Sequence, residues 1–450
     1  LKKMANKEYN YLETLTPEKP YNFNYEQTVN YTLNVFDENN LYNAEEVLNL
    51  IKTIDTVMVG TKKICFLKGW QYNGEDTGFP AFFEVNNCLK READATAKES
   101  LMWLINEAAA FNTTVSLSIN LTHAKKNSPL YSIYEEKDLL LKNADGNLLY
   151  AKNSYGNKVN LVNLYKELEC GYLERRIERL GEILPLKKTG VILIEEFELK
   201  ASFNTNIDLM KEARTKIVKL FKKLGVDVLL DYLYYEKEDG VRKESLVGRV
   251  PFIFNLSQSL MDYMARPCTL LCGGKTSNLY KECESANMNL LFGESVDIAS
   301  LLKTPKTLSK SLFREFCTKY LKYRFLNGLD RLTATVTASD VIVNFSKNVT
   351  TYLKEDRLTI NGVTAKDGNE LVIPTDFIEK GSAVVYTEKG GQIDWNLSKI
   401  LGFASSQNIE LSEINENGLS EKKRFTRLNN GMLELDLEPG KETAYLISRL

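Results

Sequence analysis

Two stretches of the sequence end a largely apolar run with a carboxylate. The run 191–194 leads into Glu195 and Glu196, and the run 226–230 leads into Asp231. Paired carboxylates can serve as a nucleophile and as a general acid and base. Because side chains alternate along a strand, only one of the two adjacent glutamates can face the same way as Asp231. We predict that Glu195 and Asp231 form the pair; the alternative is that these acids cap a helix or form ion pairs.

A polar and aromatic loop, GWQYNGEDTGFP at residues 69–80, is the second candidate for chemistry. The ring of Trp70 is of the kind that stacks on the apolar face of a sugar. The side chains that we expect to bind the hydroxyl groups of such a ligand come from this loop and from the end of the next predicted strand: Gln71, Glu75, Asp76, Ser118 and Asn120. The alternative is a turn around a packed tryptophan.

The composition excludes several classes of protein. Lysine and arginine number 58 against 60 acidic residues, so no basic excess favours nucleic acid. No apolar stretch approaches the roughly 20 residues of a membrane span. His123 is the only histidine, so a Ser-His-Asp or Cys-His catalytic triad away from His123 and a metal site with several histidines are excluded. The seven cysteines contain no CxxC motif. We therefore expect no metal and no organic cofactor, whereas the compartment and the oligomeric state stay open.

Strands and helices must position these side chains, and the sequence alternates between the two up to about residue 330. Short β-branched runs predict eight strands, at 31–36, 63–68, 114–120, 190–196, 226–233, 251–256, 268–272 and 287–293. Amphipathic segments predict the intervening helices, among them 44–55, 97–111, 164–184 and 208–224. This order is typical of a (β/α)8 TIM-type barrel. An open doubly wound sheet is the alternative, but no glycine-rich phosphate-binding loop follows any strand.

Beyond residue 330 the pattern changes to short alternating stretches. Leu433, Leu435 and Leu437 alternate with acidic residues, the period of a half-buried strand. We therefore predict an α/β chain with a (β/α)8 barrel over 1–330 and a C-terminal antiparallel β-sandwich over 331–450. The first residues, up to about 25, are predicted to form an extended N-terminal segment.

The predicted barrel brings the two acids close together. Active sites of such barrels lie at the carboxyl ends of the strands, and Glu195 and Asp231 end the fourth and fifth predicted strands. Neighbouring strands lie about 4.8 Å apart. The two acids can therefore approach the roughly 5–5.5 Å separation of the carboxylates in a retaining glycosidase.

Several blocks of the sequence resemble glycoside hydrolase family 101, the endo-α-N-acetylgalactosaminidases. In order, they are GWQYNGEDTGFPAF, VSLSINLTHA with SPLY, LLLKNADGNLLY, VILIEEF, KKLGVDVLLDYLY and TAYLISRL. The resemblance implies a barrel, a trailing β-domain and a retaining mechanism with the nucleophile on the fourth strand and the acid/base on the fifth. By position these are Glu195 and Asp231, although the family has aspartate at the first and glutamate at the second. Two sugar-binding histidines of the family correspond to Glu75 and Ser118.

We therefore expect a retaining α-glycosidase that acts on α-linked GalNAc- or galactose-type glycans by a two-carboxylate double displacement. Glu195 would be the nucleophile and Asp231 the general acid and base. The exchanged acids and the missing histidines leave an alternative, a catalytically inactive relative that binds carbohydrate or has a structural role. The expected partner in the first case is an oligosaccharide or a glycopeptide.

Overall fold

The structure is a computed structural model that describes most of the chain. The described residues are 7–10, 22–24, 27–36, 41–75, 77–152, 156–195, 197, 202–236, 242–251, 296–337 and 339–450. For residues 7–10, 230–236 and 242–251 we describe the backbone.

The secondary structure comprises strands, α-helices and a few tighter or wider turns of helix. The strands are β1 Lys7–Asn10, β2 Val29–Asn34, β3 Lys63–Lys68, β4 Thr113–Asn120, β5 His123–Ala124, β6 Tyr150–Lys152, β7 Lys158–Leu161, β8 Val191–Glu195, β9 Asp227–Glu236, β10 Arg242–Pro251, β11 Arg331–Val336, β12 Val341–Phe345, β13 Val349–Tyr352, β14 Arg357–Ile360, β15 Val363–Asp367, β16 Glu370–Pro374, β17 Ala383–Thr387, β18 Gln392–Asn396, β19 Asn408–Asn415, β20 Gly418–Arg427, β21 Met432–Asp436 and β22 Thr443–Arg449. The α-helices are α1 Ala44–Val57, α2 Ala97–Ala108, α3 Tyr131–Glu136, α4 Leu164–Glu169, α5 Tyr172–Ile183, α6 Leu186–Thr189, α7 Ile207–Lys223, α8 Ile298–Leu301, α9 Leu308–Glu315, α10 Leu321–Leu326 and α11 Leu397–Leu401. The 3₁₀ turns are Asn87–Leu89, Ala109–Phe111 and Pro305–Thr307, and a π-helical turn spans Phe316–Tyr320.

A six-stranded sheet organises the first half of the chain. Its order is β2-β3-β4-β8-β9-β10, and the first five strands run parallel to one another. Helices α1, α2 and α7 lie between consecutive strands, and longer helical excursions join β4 to β8. The first five predicted strands and their alternation with helices are therefore confirmed.

The strand that follows β9 was not predicted from the sequence. It is β10, Arg242–Pro251, which precedes nearly all of the predicted sixth strand 251–256 and pairs antiparallel with β9. The reason is that β9 continues to Glu236 and β10 already begins at Arg242, whereas a parallel neighbour needs a crossover of about a dozen residues or more. The predicted strands 268–272 and 287–293, and all of the predicted strand 251–256 beyond Pro251, lie outside the described residues, as does any closure of the sheet into a barrel.

The helices begin and end where local sequence chemistry favours it. Asn43 caps α1, because its Oδ1 accepts hydrogen bonds from the backbone N–H groups of Glu45 and Glu46 at 2.9 and 3.0 Å. The predicted helix 164–184 is instead two helices, α4 and α5, since Gly171 between them has a φ of 70°. Gly225, with a φ of 75°, follows the end of α7, as its position after the amphipathic run predicts.

The two faces of the parallel sheet bury different sets of side chains. One face carries a small apolar cluster of its own, formed by Ile64, Phe66, Val191, Leu193 and Leu229. The opposite face, with Ile192 and Ile194, belongs to the large core that includes the buried stripes of the helices. We call the face of the small cluster the inner face.

The second half of the chain is antiparallel. Ten of its strands join β1 in one sheet of order β1-β11-β12-β13-β14-β15-β16-β17-β22-β19-β20, and β18 and β21 form a separate two-stranded ribbon. The antiparallel character agrees with the prediction, but the hydrogen bonds run through one continuous sheet and not through two separate sheets of a sandwich. Residues 7–10, which the sequence assigned to an N-terminal segment of the first unit, pair with β11 of this sheet.

The two halves pack against each other. Their buried residues form one large core cluster. Gly418 at the start of β20 approaches the carbonyl oxygen of Thr56 in α1 so closely that a Cβ there would lie 2.7 Å from it. Arg314 in α9 pairs with Glu388. No helix among the described residues is long and apolar enough to cross a membrane.

Candidate active site

Glu195 is the last residue of β8 and lies on the inner face. Alternation places it on the same side as Val191 and Leu193, both of which belong to the inner cluster. The residue is 9% exposed, and Lys68 Nζ lies 2.7 Å from its Oε1. Ser118 Oγ donates a hydrogen bond of 2.5 Å to the same oxygen. The contacts of a cation and a hydroxyl donor favour the ionised carboxylate.

Lys68 joins the ends of several strands into one network. Its Nζ contacts Glu195 Oε1 and, at 3.0 Å, Glu75 Oε1. Asn34 at the end of β2 donates a short hydrogen bond to the other oxygen of Glu75. Neither Lys68 nor Asn34 was predicted from the sequence as a site residue. The signal was present for Lys68, since it follows Ile64 and Phe66 at the inward spacing of two.

The backbone places Asp231 beside Glu195. In the parallel pairing of β8 with β9, Ile194 is opposite Leu230, so Glu195 and Asp231 occupy the next positions of the two strands. Residues at equivalent positions of neighbouring parallel strands lie on the same face, and the strands are about 4.8 Å apart. The side chain of Asp231, and all of Glu196 and Asp76, lie outside the described structure.

Trp70 is part of the core and not a surface platform. The residue is 2% exposed, its indole N–H donates to the carbonyl oxygen of Ser118 at 2.8 Å, and its ring stacks on Phe82 with centroids 6.3 Å apart. A ring enclosed in this way has no face open to a sugar. We therefore correct the stacking role that the loop sequence led us to expect; the alternative of a turn around a packed tryptophan is the one observed.

Two further predicted residues serve the local fold. Gln71 is 2% exposed and donates through Nε2 to the carbonyl oxygen of Thr77 at 2.6 Å, which closes the loop after β3. Asn120 lies opposite Glu195 in the register of β4 and β8, but its Oδ1 accepts from the N–H groups of Thr122 and His123 at 2.8 and 2.9 Å. Asn120 therefore shapes the turn after β4. The side-chain amides of Gln71 and Asn120 both form hydrogen bonds within the local fold, in contrast to the sugar-binding role predicted for them.

A buried ion pair supports the turn after β4. Arg176 Nη1 lies 2.7 Å from Glu167 Oε1, both residues are at most 3% exposed, and Arg176 also donates to the carbonyl oxygens of Asn120 and Leu121 at 3.4 Å. Tyr134 donates a short hydrogen bond to Glu167. Burial alone lowers the pKa of Arg176, but the Glu167 carboxylate and the Tyr134 hydroxyl outweigh it and raise that pKa.

The described residues contain no group of three or more His, Cys, Asp or Glu side chains arranged to hold a metal ion. The site consists of the Glu195 and Glu75 carboxylates, the bridging Lys68, the Ser118 hydroxyl and the Asn34 amide. Such a set can hold a carboxylate ionised and donate hydrogen bonds to hydroxyl groups.

No family model matches the chain, and no curated protein sequence matches it. Among solved structures, the ligand-free α-N-acetylgalactosaminidase NagBb of Bifidobacterium bifidum is similar at a TM-score of 0.47 and 11% identity, over 74% of this chain and 57% of that one. Its GalNAc complex gives a TM-score of 0.37 and 14% identity, over 46% and 34%. The α-amylase of Geobacillus thermoleovorans in complex with acarbose gives 0.42 and 11%, over 94% and 99%. The chain thus spans a third to somewhat more than half of the acetylgalactosaminidase.

Proposed function

We propose that the protein is a retaining α-glycosidase with Glu195 as its nucleophile and Asp231 as its general acid and base. The observation that carries the proposal is the position of Glu195. It ends β8 on the inner face, at the edge of the sheet where the parallel strands finish, and it contacts Lys68 and Ser118. A nucleophilic carboxylate has to be ionised in the resting enzyme, and these two contacts favour that state.

The reaction follows from the two acids. Glu195 forms a bond to the anomeric carbon while the bond to the glycosidic oxygen breaks, and Asp231 gives its proton to that oxygen as the alcohol leaves. Asp231 then takes a proton from water, the water oxygen bonds to the anomeric carbon, and the bond to Glu195 breaks. Two displacements at the same carbon retain its configuration.

Lys68 has two opposing effects in this scheme. Its positive charge favours the ionised form of Glu195, but an ion pair at 2.7 Å also stabilises the carboxylate and makes the attacking oxygen less nucleophilic. Its second contact, with Glu75, offers an alternative partner. We propose that Lys68 turns toward Glu75 when a sugar enters, so that the ion pair with Glu195 is broken before this carboxylate attacks.

The substrate class rests on the motif resemblance, which favours an α-linked GalNAc- or galactose-type glycan. Glu75 and Ser118 stand where that family has sugar-binding histidines, and both belong to the network around Glu195. Asp76 remains a proposed partner of a sugar hydroxyl. No cofactor enters the proposed reaction.

A second candidate is a catalytically inactive relative that binds glycans. The observation in its favour is that Lys68, Ser118 and Asn34 already satisfy the carboxylates of Glu195 and Glu75 without a ligand. A closed ion-pair network of this kind can be structural.

Turnover of aryl α-glycosides of GalNAc, galactose, GlcNAc and glucose, and of a core-1 O-glycopeptide, separates the two candidates. We expect cleavage of at least one, with the α-anomer as the first product by NMR, and a loss of at least about 10³-fold in kcat for Glu195→Gln because the nucleophile is removed. Glu107→Gln, at an exposed position of α2, is the control and should keep full activity. Absence of any cleavage, or an unchanged rate for Glu195→Gln, would overturn the assignment.

A further inference from the structure

A cavity of about 540 Å³ lies in the segment that connects β4 to α4, which contains β5, α3, β6 and β7. Its lining includes Lys125, Lys126 and Lys158 together with the ring of Tyr150, and no carboxylate. We call this surface the basic groove. It is distinct from the inner face of the sheet, and none of its lysines belongs to the network around Glu195.

The positive charge of the basic groove is not compensated by the described part of the protein. None of Lys125, Lys126 and Lys158 forms an ion pair there, and none has a further interaction beyond those described. Lys152 adds a fourth cation, since it is directly opposite Lys158 in the antiparallel pairing of β6 with β7. Like charges directly opposite one another destabilise a strand pair. This concentration of cations occurs in a chain whose net charge is −2, so it is local to the groove.

Tyr150 gives the groove an aromatic surface. The residue is 52% exposed, and Lys158 Nζ lies 4.3 Å from its ring centroid. An open tyrosine ring can stack on the apolar face of a sugar, while ammonium groups beside it bind anionic substituents. The combination fits a saccharide that carries negative charge better than it fits a neutral saccharide.

The basic groove is held at a fixed position relative to the candidate site. Asn120 fixes the turn that leads into β5, and β5 pairs with β7 through His123 opposite Leu161. Ala124, which lines the groove, follows Asn120 by four residues, a span of at most about 14 Å. The N–H of Lys125 donates to the carbonyl oxygen of Phe79 at 2.8 Å, which ties the groove to the loop after β3.

We propose that the basic groove binds an anionic group, a sulfate or a carboxylate, on the saccharide substrate of this protein. The inference rests on the proposed function and extends it. It adds that the substrate carries a negative charge on a part of the saccharide other than the sugar whose glycosidic bond is cleaved. The bound anion would relieve the repulsion between Lys152 and Lys158.

Binding to oligosaccharides tests the proposal without turnover. The probes are a sulfated galactan tetrasaccharide, a tetragalacturonide and neutral galactotetraose, titrated calorimetrically at low and high salt into the Glu195→Gln protein. We expect at least one anionic probe to bind more tightly than the neutral one, and to bind more weakly at high salt because the contacts are exposed. Which anionic probe binds decides between sulfate and carboxylate.

A triple variant, Lys125→Gln with Lys126→Gln and Lys158→Gln, should weaken binding of the anionic probe roughly tenfold, the combined effect of three solvent-accessible charge contacts. The control makes the same change in charge at exposed lysines elsewhere, Lys98→Gln with Lys187→Gln and Lys310→Gln, and should leave the Kd unchanged. Equal losses in the two triple variants, equal affinity for the neutral probe, or binding of poly-glutamate in place of the saccharides would overturn the proposal. Because no turnover is measured, a failed cleavage screen leaves this result intact.

Discussion

Replacing Arg176 by leucine tests how the turn after β4 is held. Arg176 and Glu167 form an ion pair at 2.7 Å with both side chains buried, so the substitution leaves the Glu167 carboxylate in the core with Tyr134 as its remaining partner. Removing one member of a buried pair costs about 3–5 kcal/mol, mostly because the other charge stays buried. The lost contacts to the carbonyl oxygens of Asn120 and Leu121 add to this, although at 3.4 Å they are long.

The assay is urea unfolding of four proteins: the parent, Arg176→Leu, Glu167→Leu and the double variant. Each single variant should lose about 3–5 kcal/mol of the free energy of unfolding. The double variant should lose at least about 2 kcal/mol less than the sum of the singles, because it leaves no unpaired charge. Losses that simply add, or single variants that lose less than about 1 kcal/mol, would refute the view that this pair carries the turn.

Two further predictions concern the C-terminal sheet and its contact with α1. Burial, and then the neighbouring Lys322, lowers the pKa of Lys366 from 10.5 to about 8. Between these values Lys366 binds more protons in the unfolded chain than in the folded one, so its own contribution to the free energy of unfolding rises with pH by about 3 kcal/mol. In urea titrations from about pH 8 to 10.5 the parent should therefore gain about 3 kcal/mol relative to Lys366→Met, and a constant difference would contradict the prediction. Gly418→Ala should lower the free energy of unfolding by about 2–4 kcal/mol, because φ is 91° and the new Cβ would meet Thr56. The control Gly362→Ala has a φ of 76° and open space around the new Cβ, so it should lose only the backbone strain of about 1–2 kcal/mol. Thermal melts that show equal losses for the two variants would exclude the contact with Thr56 as the cause.

The sequence predicted most about the parallel strands. The boundaries of β3 agree with the predicted 63–68, and the predicted 190–196 includes all of β8, Val191–Glu195. Strands that are buried between helices have long apolar runs, which makes them recognisable in the sequence. The alternation of Val191, Leu193 and Glu195 was enough to assign Glu195 to the inner face.

Other features of the site depended on contacts between distant residues. Whether Trp70 is open or enclosed depends on Ser118 and Phe82, which no local pattern reveals. The bridging role of Lys68 likewise requires the ends of β3 and β8 to be within ion-pair reach. The antiparallel course of β10 depends on how far β9 continues, and element boundaries are the least predictable property of a strand.

The pairing of β1 with β11 has a consequence for the order of events during biosynthesis. Lys7 is opposite Val336, over 300 residues later in the chain, so the first strand leaves the ribosome long before its partner exists. At 5–20 residues per second the interval is roughly 15 to 65 s. During that time the N-terminal strand carries unpaired backbone donors and acceptors, which are available to other chains and to chaperones. Because β1 lies at one end of the sheet order, the other ten strands can assemble first, and its docking can be the last pairing to form.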